Sequence, residues 1–330
     1  MTWLIFFACA LIVVVSASRL AAYGDVIALR TGIGRLFIGT LLLATATSLP
    51  ELLTAVNAID QGEPNLTAGD IFGSGMFNML LLAVLDLLHQ QKRILRRVAT
   101  VHALSGGLAV LLTGLAVFYI LADIDWRIGW MGLDSLSLVL IYIFGMRLIN
   151  RSSSREAGHE ETEEEIPPGT PRLRTAVIGF AIATLILLVT TPWLVRSAVG
   201  IAEITGVSTG FIGIALVAIV TSLPEATSTL AATRLGAYDL AIGNLFGSNL
   251  FNIFALGLID SFYTEGRLLG VIDPTLALAG LMALLLTTLG LIGNLAREER
   301  RILFMEVDAL LILIGYGAGI WLLYARGVFH

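Results

Sequence analysis

Residues 31–51 read TGIGRLFIGTLLLATATSLPE, and residues 205–225 read TGVSTGFIGIALVAIVTSLPE. The two align without a gap. A second block, GDIFGSGMFN at 69–78, aligns with GNLFGSNLFN at 243–252. Both pairs share one offset of 174 residues. Chance does not place two separate blocks in one register over that distance, so the chain is two homologous halves.

Composition says what the halves are made of. The chain has 330 residues, 57% hydrophobic and 14% charged, with mean hydropathy +0.88. Soluble domains carry closer to a quarter charged residues, so this is an integral membrane protein. A span needs about 20 mostly apolar residues. Ten such segments occur, near 2–22, 33–58, 67–88, 98–121, 128–149, 174–196, 207–232, 239–260, 270–295 and 302–325. The expected fold is all-α, with ten transmembrane helices in two repeats of five. Five is odd, so the second repeat enters the membrane from the opposite side. Inverted-topology repeats are the architecture of secondary transporters, whose sites lie near the midplane at the repeat interface.

The division expected is 1–150 for the first repeat, 151–172 for a linker and 173–330 for the second repeat. The linker, RSSSREAGHEETEEEIPPGTPR, is acidic, rich in Ser and Pro, and lacks apolar periodicity. It reads as a disordered cytoplasmic connection. Little chain remains for a soluble catalytic domain. The single Cys9 excludes an internal disulfide framework. Residues 4–15 have no basic segment before them and Arg19 after them, so they read as a retained first span.

Basic residues orient the spans. With the N-terminus outside, the inner segments carry 16 of the 20 Lys and Arg residues. The outer ones carry only Arg127, Arg196, Arg267 and Arg326. Both termini are then outside, in a plasma or inner membrane.

Thr47, Ser48 and Glu51 lie three and four residues apart and share one helix face. Pro50 has no N–H, which frees the carbonyl of Ala46 and bends the helix. Thr221, Ser222, Pro224, Glu225 and the carbonyl of Val220 repeat the arrangement. The third span adds Ser74 and Asn78, and the eighth adds Ser248 and Asn252. The sum is a shell of hard oxygens around two carboxylates, without His or Cys. Such a shell suits Na⁺ or Ca²⁺ and argues against zinc or copper.

A buried charge near the bilayer centre costs roughly 2.5–3.5 kcal/mol, so structure alone does not explain Glu51 and Glu225. The alternatives for the others are milder: interhelical hydrogen bonding for the asparagines and back-bonding for the hydroxyls. Gly69, Gly73, Gly243 and Gly247 form small-residue faces for close helix approach. Asp70, whose counterpart is Asn244, reads either as an acid at the mouth of an ion pathway or as a solvated helix-start residue. Asp86, Asp134, Glu306, Asp308 and His102 read as interfacial or packing residues.

TSLPE followed by GxxxGSxxFN, duplicated, resembles the alpha repeats of the sodium/calcium exchanger family, within the cation/calcium exchanger superfamily. The motifs cover about 30 residues of each half, and the ten-span layout covers the whole chain. The resemblance implies antiport of Ca²⁺ against Na⁺ by alternating access, with Glu51 and Glu225 as the paired glutamates. Thr47, Ser48, Thr221 and Ser222 match the flanking ligands, and Ser74, Asn78 and Ser248 the polar positions of the third and eighth spans. The carbonyls one turn earlier fall on Ala44 and Ala218. Three departures stand out. Ala46 and Val220 replace the usual Gly. Asp70 and Gly75 stand where the pattern tends to Asn. Asn252 stands where many sodium-coupled members carry Asp, which leaves two formal negative charges in the core and implies fewer Na⁺ per Ca²⁺.

Neither a resident cofactor nor an obligate protein partner nor a nucleic-acid surface is indicated. The expected substrates are Ca²⁺ and Na⁺, or H⁺ in a proton-coupled antiporter. A reading of another class is an intramembrane acid/base hydrolase built on two carboxylates. Against it, both acids are Glu in matched settings, and no Gly-x-Gly-Asp stretch occurs. A passive channel would also use oxygen ligands but would need no counter-gradient.

Overall fold

The structure, a computed structural model, describes residues 1–88, 100–157, 166–167, 169–205, 217–295, 301–302 and 305–326. Its first five spans are Thr2–Thr31, Arg35–Asp60, Pro64–Leu88, Thr100–Ala122 and Leu133–Ala157. Leu173–Thr205 forms the sixth. Within the seventh, two helical pieces are described, Val217–Thr221 and Leu223–Arg234. The last three are Tyr238–Ile259, Ala277–Leu295 (entered through a 3-10 turn, Pro274–Leu276) and Val307–Ala325. Among the described residues nine helices are long and apolar enough to cross a membrane. The seventh span was read over 207–232, and its beginning lies outside the described residues.

Several ends differ from the reading. The fifth helix runs on to Ala157, into the segment assigned to the linker. Backbone hydrogen bonding carries a helix beyond the edge of its apolar stretch, and no proline or glycine stops it there. Nine of the 22 linker residues, 158–165 and 168, lie outside the described residues, His159 included. So do Lys92, Arg93, Arg96, Arg97, Arg297 and Arg300 of the basic segments.

Element ends recur at the offset of the motifs. Thr31 and Thr205 end helices, as do Asp60 and Arg234; Pro64 and Tyr238 begin them, as do Leu133 and Val307. Each half also has a two-residue hairpin, Arg127–Ile128 with Met131–Gly132 and Arg301–Ile302 with Met305–Glu306. The same offset links Asp86 to Asp260 and Asp134 to Asp308. These acids therefore belong to the repeat, and the reading of Asp86, Asp134 and Asp308 as packing residues without an acidic mate is corrected. Asp260 shows the local use: it accepts the backbone N–H groups of Gly132 (2.7 Å) and Leu268 (2.6 Å). Arg267 binds Asp134 at 2.6 Å and also Asp123. Burial raises the Asp260 carboxyl, opposed by those two N–H donors.

Hydrogen bonds sort the loops into two ends. At one end Trp130 donates to the carbonyl of Ser261 (3.1 Å), Arg267 joins Asp123, and the N–H of Asp273 reaches Asn65 (2.8 Å). At the other, Arg30 donates to the carbonyls of Thr170 (2.7 Å) and Pro171 (3.1 Å). His102, wholly buried, pairs with Asp239 at 3.1 Å there too.

Repeat mates pack against each other: first on sixth, second on seventh, third on eighth, fourth on ninth. Two separate apolar cores result. The larger draws on spans three, four, five, eight, nine and ten, with Phe72, Met76, Met79, Leu112 and Phe246 at its centre. The smaller joins the first and sixth through Val13, Leu20, Leu187 and Leu194, and takes in Leu43 of the second span, Val220 of the seventh and Leu240 of the eighth. Much of the remaining apolar surface, such as Phe7, Leu140, Val189 and Trp321, is exposed and suits lipid.

Of those nine helices, the eighth span is the most enclosed. Glycine lets it sit so deep. A Cβ on Gly243 would lie 2.9 Å from the carbonyl oxygen of Leu36, and one on Gly39 would lie 2.6 Å from that of Leu240. On Gly247 it would overlap the Thr40 carbonyl and stand 2.8 Å from the Ala44 Cβ. Backbone thus meets backbone, and nothing there can step aside. Gly247→Leu should therefore destabilise the protein by overpacking, by about 1–3 kcal/mol or more. Gly317→Ala, where a Cβ meets nothing within 4 Å, should not. Thermal unfolding in detergent checks this: equal melting temperatures for the two variants would contradict the packing described.

Candidate functional site

Both TSLPE segments sit on irregular helix. In the second span a wide π-turn over Ile38–Leu43 leads into the regular helix at Ala44, with Pro50 inside it. Such turns release backbone groups from the usual ladder and recur at functional sites. In the seventh span the helix stops at Thr221 and restarts at Leu223, with Ser222 between (φ −81°, ψ 7°) and Pro224 in the new first turn. Pro is tolerated in a first turn because its missing N–H has no intrahelical partner there. Pro50 thus lies within its helix, whereas in the seventh span the helix is broken at Ser222, before Pro224.

All twelve residues singled out in the sequence are buried: Ala44, Thr47, Ser48, Glu51, Ser74, Asn78, Ala218, Thr221, Ser222, Glu225, Ser248 and Asn252. Their four spans pack on one another. Hydrogen bonds cross between the repeats. Ser48 donates to Glu225 Oε1 at 2.7 Å, and Ser248 approaches the same oxygen at 3.5 Å. Ser222, the mate of Ser48, lies beside Glu51, the mate of Glu225, without a geometric hydrogen bond. The hydroxyl of Thr47 lies 3.3 Å from Asn244 Oδ1 and 3.3 Å from the carbonyl of Ala44. Its mate Thr221 lies 3.0 Å from Asp70 Oδ1, 2.9 Å from the carbonyl of Val217 and 3.2 Å from that of Ala218. A hydroxyl has one proton, so each threonine serves one acceptor at a time. For Thr221 the carboxylate is the stronger.

Back-bonding thus accounts for part of the hydroxyl set, and interhelical bonding for one asparagine. Asn78 Nδ2 donates to Asn249 Oδ1 at 2.9 Å, and Asn249 Nδ2 reaches the carbonyl of Gly75 at 3.3 Å. Other oxygens have no partner. These are both oxygens of Glu51, Oε2 of Glu225, Oδ2 of Asp70, the hydroxyls of Ser74 and Ser222, and the amide oxygens of Asn78 and Asn252. Buried polar groups are normally satisfied, so this many in one region calls for an explanation. Among the described residues no Lys, Arg or His forms an ion pair with Glu51, Asp70 or Glu225. Oxygen-rich and acidic, the arrangement can do what hard cations require.

Three residues were missed or misread. Asp70 is 1% exposed and close enough to both glutamates for their charges to act on it. It is neither at a mouth nor solvated, because its helix begins at Pro64, two turns earlier. The core therefore holds three carboxylates, where the sequence reading counted two. Asn244 was taken only as a counterpart, yet it donates to Ser228 (3.0 Å) and Thr229 (2.9 Å). Asn249 was not considered at all. The signal was present: Asp70, Ser74 and Asn78 form one four-residue stripe, and Asn244, Ser248 and Asn252 form its mate.

Known proteins of one family resemble this chain along its whole length. The family described as sodium/calcium exchanger protein matches residues 1–149 and 175–325. The putative antiporter CaxA of Alkalimonas amylolytica is 31% identical over 301 residues, 86% of this chain and 88% of that one. The sodium/calcium exchanger MaX1 of Methanosarcina acetivorans is 27% identical, over 88% of this chain and 91% of its own. Among solved structures, the sodium-calcium exchanger NCX_Mj soaked with Na⁺ and Sr²⁺ superimposes with a TM-score of 0.71 at 20% identity, covering 97% of each chain. That last likeness is one of fold. With both halves matched, the chain belongs to the sodium/calcium exchanger protein family, a family of antiporters.

Proposed function

We propose that this chain exchanges Ca²⁺ for Na⁺ by alternating access at a single site built from both repeats. The observation that carries the reading is the set of buried, unpartnered oxygens around Glu51 and Glu225, joined across the repeats by the Ser48–Glu225 bond. In this reading the two glutamates supply charge. Thr47, Ser48, Ser74, Asn78, Thr221, Ser222, Ser248 and Asn252, with the carbonyls of Ala44 and Ala218, supply neutral oxygens. Ca²⁺ takes six to eight oxygens in flexible geometry, which this set can provide. One Ca²⁺, two Na⁺ or two H⁺ neutralise two carboxylates equally, so protons are the competing counter-ion.

Alternating access needs two bodies that move. The first and sixth spans pack on each other more extensively than any other pair, and in this reading they form one of those bodies. Residues 1–150 and 173–330 act as the two repeats, joined by the acidic linker on the cytoplasmic side. Both termini face outward from a plasma or inner membrane.

Reconstituted vesicles test the exchange. Ca²⁺ uptake should follow an imposed outward Na⁺ gradient and stay at background without one. Uptake driven only by a proton gradient would replace Na⁺ with H⁺ in the reading. Ca²⁺ entry without any counter-gradient would mean a channel. Glu51→Gln and Glu225→Gln keep shape and remove charge, and each should reduce gradient-driven flux to background while the protein remains inserted. Normal flux in either would take that residue out of the site.

Orientation has its own test. In a Cys9→Ala background, cysteines at Gln61 and Asp125 should react with an impermeant thiol reagent from outside. Cysteines at Thr170 and Leu235 should react only after permeabilisation. Labelling of 61 and 235 from one side would break the inverted arrangement.

A further inference from the structure

The two halves are not equivalent at one buried position. Asn244 is fully engaged: its oxygen faces Thr47, and its amide nitrogen donates to Ser228 and Thr229. Its mate Asp70 has no N–H to give. Ala55, the mate of Thr229, has no hydroxyl to receive one. Asp70 Oδ1 takes the Thr221 proton at 3.0 Å, and Oδ2 is buried without a partner. A carboxylate in place of an amide removes two donors and adds one negative charge at the repeat interface. It stands in the stripe that continues through Ser74 and Asn78.

A charge so enclosed needs a counter-charge. Among the described residues Asp70 forms no ion pair, and the charges nearest to it in effect are the two glutamates, which repel it. Cations entering the site are what remains to balance it. We propose that Asp70 is a further ligand of the exchange site, providing beside Thr221 a position for one monovalent cation that Glu51 and Glu225 alone do not provide. The inference rests on the exchange reading above and refines it. Three fixed negative charges are balanced by three monovalent counter-ions, whereas Ca²⁺ balances two. Each cycle then moves one more counter-ion per Ca²⁺ than two glutamates require, and one net charge crosses the membrane. This reverses the expectation of fewer counter-ions drawn from Asn252 alone.

The substitution Asp70→Asn is nearly isosteric, keeps an oxygen for Thr221, and copies the amide already accommodated at 244. The experiment measures Ca²⁺ flux and transport current together in proteoliposomes on a solid support. The unmodified protein should move one charge per Ca²⁺. Asp70→Asn should exchange at an altered rate with no net charge per Ca²⁺, and its Hill coefficient for the counter-ion should fall by about one. Asp70→Asn combined with Asn244→Asp should recover the original ratio, since 244 faces Thr47 as 70 faces Thr221. An electroneutral cycle in the unmodified protein would overturn the inference, whatever the variant does. So would a charge ratio in Asp70→Asn equal to that of the parent. In both cases Ca²⁺ exchange itself would stand. Absence of any gradient-driven Ca²⁺ flux in the parent would instead overturn the exchange reading and this assignment with it.

Discussion

Carboxylates enclosed in a membrane protein, with no basic side chain paired to them, govern the rest of this molecule. The bilayer offers no water to solvate them, and the described residues offer no cation. Their charge has to be met by something that comes and goes. From that requirement follow the ring of hydroxyls, amides and carbonyls, and the placing of partners on opposite repeats. Thr47 faces Asn244, Thr221 faces Asp70, and Ser48 faces Glu225. Each such bond spans the interface, so this arrangement of oxygens exists only while the two halves are together.

Bringing four polar helix faces together inside an apolar bundle demands close backbone approach. The eighth span achieves it with Gly243 and Gly247 against the π-turn of the second, and Gly39 of that turn answers against Leu240. Larger residues would hold the helices apart and let the oxygens separate. Packing and chemistry thus depend on the same few positions. The first and sixth spans pack chiefly on each other, around a second apolar cluster that residues of the second, seventh and eighth spans also join.

Much of this was legible in the sequence because membrane helices are written in long apolar runs and repeats share a register. The offset of 174 found in two motifs recurs in helix ends and in both hairpins. The ten residues chosen by type and spacing, and Ala44 and Ala218 taken from the resemblance, are all buried. Asp70 escaped because its depth was judged from where hydropathy begins, near 67, and the helix in fact starts at Pro64. Asn249 escaped because its mate is Gly75, so no matched polar pair drew notice. The acid pairs Asp86 with Asp260 and Asp134 with Asp308 could have been read from the offset alone. The π-turn could not. It has no local sequence signature, and it lies where the backbone of the eighth span comes against Gly39.

The central claim is that both repeats build one shared cation site. Equilibrium binding of Ca²⁺ to the purified protein in detergent tests it most directly, free of gradients and sidedness. One Ca²⁺ per chain is expected, displaced competitively by the counter-ion, and lost whole when the charge of either glutamate is removed. Two Ca²⁺ per chain, one surviving the loss of Glu51 and the other the loss of Glu225, would mean two independent half-sites and would contradict the account.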